Sequence, residues 1–292
     1  MIYCRKRSKT IENEDLTVTE TKKKINPVEV VICLFLTAVI VVTGLIGYTH
    51  GKKIWIFEVP LPPVHHAANA ALLGGQNGIE PGWHYAFAPK AVRDKVKTCP
   101  EALEWAAEYY YLWDKVADDD ISADVTEGEF PMFVQWDQRW GYRLYGNNYM
   151  ANNGCGPTAL SIVYSGLTGK SDVTPHDLAV YSVNNGLYVP TVGTRWDLMQ
   201  YGGEFLGLKV DVLNMDWDKA RAALEAGKPL ICKVGPGDFT TGGHFIVLTA
   251  IDEEGMCTVR DPNSKLKSAE LWDFDRVMSQ TDFAWAYSLK TK

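Results

Sequence analysis

Cys155 has the sequence surroundings of an activated thiol. It lies in the segment Asn153–Leu160, NGCGPTAL, where Pro157 suits the first turn of a helix. At a helix N-terminus, unpaired backbone amides and the positive end of the helix dipole favour a thiolate over a thiol. The flanking Gly154 and Gly156 keep bulk away from the sulfur. The sequence therefore predicts a nucleophilic cysteine that a substrate carbonyl can approach.

A cysteine nucleophile also needs a base, and His244 is the best candidate. It follows a flexible segment, residues 240–243, and opens the continuous apolar run Phe245–Ile251, which is typical of a buried strand. A polar ring at the mouth of such a strand can meet solvent. The alternative is a structural histidine with satisfied hydrogen bonds. The remaining histidines lie in the predicted linker or at surface positions: His50, His65, His66, His84 and His176.

Hairpin geometry identifies a third member of the site. A turn after Ile251 brings the next strand back against it, and pairing Ile251 with Met256 places His244 opposite Asn263. Asp261 then lies two residues along on the same face. Either side chain could orient the imidazole. Asp261 is favoured because a carboxylate would also stabilise the imidazolium, and Asn263 is the orienting alternative.

Four motifs together resemble the peptidase C39-like family, a branch of the papain-like cysteine peptidases. In chain order they are QWDQRW at 135–140, GCGPTA at 154–159, GGHFIV at 242–247 and DPNS at 261–264. The resemblance covers roughly residues 130–290. It implies an α+β papain-like cysteine peptidase fold, in which a helix carrying the cysteine packs on an antiparallel sheet carrying the histidine and the aspartate.

The resemblance also implies a role for each site residue. The nucleophile falls on Cys155, the base on His244 and the acid on Asp261. Papain-like enzymes use a glutamine as oxyanion donor, which falls on Gln135, with Gln138 as the reserve candidate. The implied reaction is hydrolysis of peptide or amide bonds through a thioester intermediate.

The rest of the sequence limits the classes of binding partner that we expect. A sequence pI near 5.4 argues against a nucleic-acid binder. No P-loop, dinucleotide fingerprint or zinc-ligand spacing is present, so we expect no nucleotide, cofactor or metal. The expected substrate is a peptide or protein. The other hypothesis is a catalytically silent C39-like surface domain that acts as a binding module, although the complete cysteine, histidine and aspartate set favours an enzyme.

The N-terminal region predicts a membrane anchor. Residues 1–27 carry seven basic and four acidic side chains with little apolar content, which is typical of a disordered tail. The segment 28–48 contains 19 uncharged residues, Val30–Tyr48, enough for a helix of ~28 Å, close to the thickness of a bilayer core. A buried core helix or a cleaved signal peptide are the alternatives. The length and the lack of a small-residue cleavage site favour an uncleaved transmembrane helix.

The distribution of charge predicts the orientation of that helix. Seven Lys and Arg precede it and two, Lys52 and Lys53, follow it closely, so the tail should be cytoplasmic and the rest extracytoplasmic. Residues 49–129 are rich in Pro and Gly at first and then contain an aromatic stripe at helical spacing. They predict a linker with one amphipathic helix, about 98–117, begun by a capping box between Thr98 and Glu101. Residues 130–292 form the predicted peptidase domain.

Overall fold

The computed structural model describes residues 88–115 and 118–290. The predicted tail, 1–27, and the predicted transmembrane helix, 28–48, lie outside these residues, as does the predicted linker as far as residue 87. Within the two described ranges, no helix combines the length and the apolar character needed to cross a membrane. The predicted peptidase segment is described up to Lys290.

The described residues form an α+β structure. The helices are α1 (Lys90–Thr98), α2 (Leu103–Ala107), α3 (Tyr109–Leu112), α4 (Met150–Asn153), α5 (Cys155–Thr168), α6 (Pro175–Asn184), α7 (Asp197–Phe205), α8 (Trp217–Glu225), α9 (Lys265–Ser268) and α10 (Phe274–Met278). The strands are β1 (Leu144–Tyr145), β2 (Asn148–Tyr149), β3 (Tyr188–Val189), β4 (Gly193–Thr194), β5 (Leu208–Val212), β6 (Leu230–Val234), β7 (His244–Ile251), β8 (Met256–Arg260), β9 (Leu271–Asp273) and β10 (Thr281–Leu289). Short 3₁₀ turns occur at Pro100–Ala102 and Ser122–Asp124.

An antiparallel sheet in the order β5-β10-β6-β7-β8-β9 organises the domain. The apolar run in β7 serves both faces of this sheet, because successive side chains of a strand point to opposite sides. Phe245 and Val247 join a core that includes residues of α5, α6 and α7. Ile246 and Leu248 join a second core with residues of α8 and α10. A strand covered on both faces reads as continuously apolar rather than alternating, which explains the sequence of β7.

Helix α5 lies across one face of the sheet and contacts β7. All of its residues from Gly156 to Gly166 are buried, so it is enclosed around most of its circumference. It ends at Gly169, whose φ of 66° is the left-handed conformation that favours glycine at a helix C-terminus. Gly156 is needed for a different reason, since a Cβ there would lie 2.6 Å from the side chain of Thr194.

The β7–β8 hairpin corrects the predicted register near its turn. Ile251 pairs with Cys257 rather than with Met256. An irregularity between Leu248 and Ala250 then shifts the register by one residue, so that Leu248 pairs with Val259 as the sequence predicted. A bulge that places two residues opposite one has this effect. The extrapolated pairing of the histidine with Asn263 does not form, because β8 ends at Arg260.

The segment predicted as one helix, 98–117, differs in the structure, and that prediction is wrong. A helix already begins at Lys90, ends at Thr98 and is followed by the 3₁₀ turn and the short helices α2 and α3. The break lies at Cys99, whose φ of −142° and ψ of 86° are extended. The residue before a proline is disfavoured in the helical region, and Pro100 imposes this restriction. The capping box is absent, since the Thr98 hydroxyl donates to the Lys95 carbonyl instead, at 3.1 Å.

The buried aromatic side chains of this segment pack on the following domain. Trp105 is 1% exposed and stacks on Tyr142, with ring centroids 5.4 Å apart. The Tyr142 hydroxyl also donates to the Trp105 carbonyl at 2.8 Å. Tyr109 and Ala151 belong to the same buried cluster. Residues 88–112 are therefore fixed to the domain by an apolar core of their own.

Candidate active site

Cys155 is the first residue of α5 and is half-buried. The preceding residue, Gly154, offers no side chain to cap the first turn. The positive end of the α5 dipole therefore acts on the sulfur without a competing cap. This placement agrees with the sequence prediction of a thiol at a helix N-terminus.

His244 begins β7, and Asp261 follows the end of β8. The His244 Nε2 and the Asp261 Oδ1 lie 2.6 Å apart, and both side chains are buried. The imidazole also acts on the Cys155 thiol, since His244 lowers the pKa of Cys155, and both side chains line one cleft. Because Nε2 is occupied by the carboxylate, the ring nitrogen left for the sulfur is Nδ1. The structure therefore brings together the three residues that the sequence singled out, in the order thiol, imidazole, carboxylate.

The pKa values of this group shift in opposite directions. Burial favours the neutral form of His244, but the charge of Asp261 and the hydrogen bonds that Asp261 and Cys155 accept from the ring outweigh it and raise the pKa of His244 to about 9. Burial would also raise the pKa of Cys155. The hydrogen bond and charge of His244, with a backbone hydrogen bond from Phe245, lower it below its ordinary value instead. The arrangement favours a thiolate paired with an imidazolium.

The Asp261 carboxylate is held by its own turn. Its Oδ1 accepts the backbone N–H of Asn263 at 2.7 Å as well as the histidine. Its backbone N–H donates to the Ser268 hydroxyl at 2.8 Å. Its second oxygen, Oδ2, is buried and has no hydrogen-bond partner among the described residues. The side chain is thus fixed in the orientation that presents Oδ1 to the imidazole.

Asn263, the predicted orienting alternative, forms no hydrogen bond with the imidazole. Its side-chain oxygen accepts a hydrogen bond from the amine of Lys95. Its carbonyl accepts hydrogen bonds from the Trp136 indole at 2.9 Å and the Cys99 thiol at 3.1 Å. The turn between Asp261 and Ser264 directs the two side chains to different partners, so Asp261 alone meets His244.

The two predicted oxyanion donors occupy different places. Gln135 is 2% exposed and lines the same cleft as Cys155 and His244. Its Nε2 donates to the Ala151 carbonyl at 2.6 Å, and since an amide carries two N–H groups, one remains available. Gln138, the reserve candidate, lies outside this cleft, and its Nε2 donates to Glu108 at 2.7 Å. Its position excludes it from the site.

The site opens into a cleft of about 680 Å³, within the size range of sites for small ligands. The side chains of Cys155 and His244 both line it. The segment Gly237–Gly243 forms one side. Residues of α1 form another: Ala91, Asp94, Lys95, Lys97 and Thr98.

Sequence reasoning missed α1 and its contribution to the cleft. Those residues were assigned to a linker because Pro and Gly are frequent just before them. The one local signal is the pair Val92 and Val96, four residues apart, since residues at this spacing share a helix face. Lys95 is 6% exposed and lines the cleft, a position that depends on contacts with residues far along the chain. No group of His, Cys, Asp and Glu side chains suited to hold a metal occurs in residues 88–115 and 118–290.

Comparison with known proteins identifies the family. The model of the peptidase C39-like family matches residues 127–291, more than half of the chain. The chain therefore belongs to the peptidase C39-like family. Among solved structures, the chain is similar to the peptidase domain of Streptococcus ComA, described as a bi-functional ABC transporter involved in a quorum-sensing pathway. The two share 18% identity over 47% of this chain and 93% of that one, with a TM-score of 0.37. No curated protein matches the chain.

Proposed function

We propose that this protein is a cysteine peptidase or amidase that hydrolyses peptide or amide bonds through Cys155, His244 and Asp261. The observation that carries the proposal is the buried 2.6 Å contact between His244 and Asp261, on an imidazole that lines the same cleft as the Cys155 thiol. A nucleophile, a base and an orienting group in this order are what thiol-based acyl transfer requires.

The proposed reaction has two halves. The Cys155 thiolate attacks the substrate carbonyl, and the oxyanion is stabilised by the free N–H of the Gln135 side chain and by the Cys155 backbone amide. The His244 imidazolium protonates the leaving amine, which produces a thioester on Cys155. The neutral imidazole then takes a proton from water, and the attack of the resulting hydroxide on the thioester releases the acid and restores the thiolate–imidazolium pair.

Labelling of the thiol tests this proposal. A thiol-reactive probe should label Cys155 at neutral pH, and a peptide aldehyde should compete with it. The variant Cys155→Ser should lose the labelling. Cys257→Ala is the matched control, because burial raises the pKa of the Cys257 thiol to about 12 and leaves it unreactive. Failure of Cys155 to react, or labelling that the aldehyde does not reduce, would instead favour the catalytically silent binding module.

The proposed enzyme is held at the cell membrane by residues 28–48, with its N-terminus cytoplasmic and its peptidase domain extracytoplasmic. The support is the uncharged stretch Val30–Tyr48 and the excess of Lys and Arg before it. Protease added to intact cells should digest the domain and leave the tail protected. Protection of the domain would contradict this orientation.

A further inference from the structure

A buried basic side chain reaches the site from outside the part of the chain that the family model matches. Lys95 lies on α1, is 6% exposed and lines the cleft together with Cys155. Burial of an ammonium is costly unless it forms hydrogen bonds or pairs with opposite charge. The amine of Lys95 donates to the side-chain oxygen of Asn263, which commits the lysine to the turn that carries Asp261.

Hydrogen bonds connect Lys95 to the imidazole in a few steps. Asn263, which accepts from the lysine, donates its backbone N–H to Asp261 Oδ1 at 2.7 Å. The same oxygen meets His244 Nε2 at 2.6 Å. Lys95 therefore influences the position of the Asp261 carboxylate through Asn263. It influences the position of the His244 imidazole through that carboxylate.

The segment that follows α1 forms hydrogen bonds with the same turn, at residues 263–266. The Glu101 carboxylate accepts the backbone N–H groups of Lys265 at 2.8 Å and Leu266 at 3.2 Å, and it also accepts the Ser264 hydroxyl. The Cys99 thiol donates to the Asn263 carbonyl at 3.1 Å. Lys95, Cys99 and Glu101 thus make successive contacts to residues 263–266, directly after the proposed acid.

We propose that Lys95 is a positioning residue for the peptidase reaction: it fixes the Asp261 turn, and its positive charge at the cleft wall stabilises the thiolate of Cys155. This inference rests on the function proposed above. It assigns a role in that reaction to a helix that precedes the family domain.

The charged groups around Lys95 and Cys155 agree with this role. His244 and Lys95 carry the positive charges that act on Cys155, and Cys155 acts in turn on the hydroxyl of Tyr145. The attraction of Lys95 for the thiolate adds to that of His244 in lowering the pKa of Cys155. Burial lowers the pKa of Lys95 itself, and the acidic groups that face it oppose this shift: Cys99, Cys155, Asp261 and Glu101. A positive charge near a thiol favours the ionised form.

The experiment measures how the alkylation of Cys155 depends on pH in the full chain. Iodoacetamide is the probe, and peptide mass spectrometry quantifies the modification at Cys155 alone. Lys95→Met should move the titration to higher pH and slow alkylation by about threefold or more on the acid side, because one nearby positive charge is lost. Lys95→Arg should keep the titration close to that of the wild type.

Two further variants separate charge from structure. Lys95→Gln retains an N–H donor for Asn263 but no charge, so it should shift the titration as Lys95→Met does, and it decides the matter if Lys95→Met fails to fold. Lys90→Met is the matched control, because Lys90 lies on the same helix with its amine paired to Asp94 and its side chain 83% exposed. It should leave the titration unchanged.

The outcomes distinguish the two proposals. One outcome is that the Cys155 thiol of the wild type titrates at lower pH than an ordinary cysteine, and that the folded Lys95→Gln variant titrates at the same pH as the wild type. The role proposed for Lys95 is then wrong and the proposed function stands. If the wild-type thiol titrates like an ordinary cysteine, the thiolate–imidazolium pair is absent and the proposed function fails. A shift in both uncharged variants but not in Lys95→Arg would support Lys95.

Discussion

The His244 imidazole and the Asp261 carboxylate meet inside the protein at 2.6 Å, with exposed side-chain fractions of 7% and 0%. A carboxylate so placed both orients the ring and stabilises its charged form. The pH dependence of the proposed reaction follows from this relationship, because the pKa of His244 is raised to about 9.

Activity should show a bell-shaped dependence on pH. On the acid side, kcat/KM should rise as Cys155 ionises, below the ordinary thiol pKa of 9.0, because that pKa is lowered. On the alkaline side, kcat/KM should fall near pH 9 as the imidazolium loses its proton. The pKa values of the two limbs belong to Cys155 and His244 acting together. Initial rates on a peptide substrate across pH measure both limbs, and an alkaline limb near the ordinary histidine value of 6.5 would contradict the raised pKa.

Substitution Asp261→Asn should lower kcat/KM by about a hundredfold or more, because the imidazolium loses its stabilising charge. It should also move the alkaline limb to lower pH, since Asp261 is what raises the pKa of His244. The pH profile of the variant tests this. Glu253→Gln, an exposed position in the β7–β8 turn, is the control and should keep the wild-type profile. An unmoved alkaline limb in Asp261→Asn would show that the carboxylate does not act on the imidazole.

Substitution Gln135→Ala should lower kcat by about 10²- to 10³-fold with a smaller effect on KM, as expected when one oxyanion donor is removed. Steady-state kinetics on a peptide substrate separate the two constants. Gln138→Ala should keep the wild-type rate, because this side chain lies outside the cleft and bonds Glu108. Equal losses in both variants would point to a general effect on folding and against an oxyanion role for Gln135.

Substitution Trp105→Ala should reduce the free energy of unfolding by about 3–5 kcal/mol, the usual cost of deleting a buried aromatic side chain. Trp105 is 1% exposed and stacks on Tyr142. Urea denaturation followed by circular dichroism measures the change. Trp113→Ala, in the same segment but 51% exposed, should cost less than about 1 kcal/mol. Similar costs at the two positions would contradict the docking of residues 88–112 as described.

The parts of the site that the sequence predicted are those set by local structure. The helix start at Cys155 follows from Pro157 and the apolar residues after it, and the hairpin carries Asp261 back toward His244. The register near the turn was wrong because of the bulge between Leu248 and Ala250. Beyond the bulge the observed register coincides with the predicted one, so the prediction that Asp261 approaches His244 is confirmed.

The remaining features depend on contacts between distant parts of the chain. Asn263 and Asp261 were both compatible with the hairpin, and the turn geometry after Arg260 decides between them. Gln135 and Gln138 are three residues apart, and the Glu108 carboxylate, which holds Gln138 away from the cleft, comes from another segment. Lys95 reaches Asn263 across 168 positions of sequence. The hydrophobic periodicity of a sequence indicates local structure and does not predict contacts between residues this far apart in the chain.

One wall of the cleft consists of α1, which precedes residues 127–291. The shape of the groove beside the thiol is therefore set in part by residues that the family pattern does not define. A compound that only attacks the cysteine would exploit what the family has in common. A compound that also contacts α1 would use a surface outside the part of the chain that the family model matches, which makes this helix the place to begin in designing a selective inhibitor of the proposed enzyme.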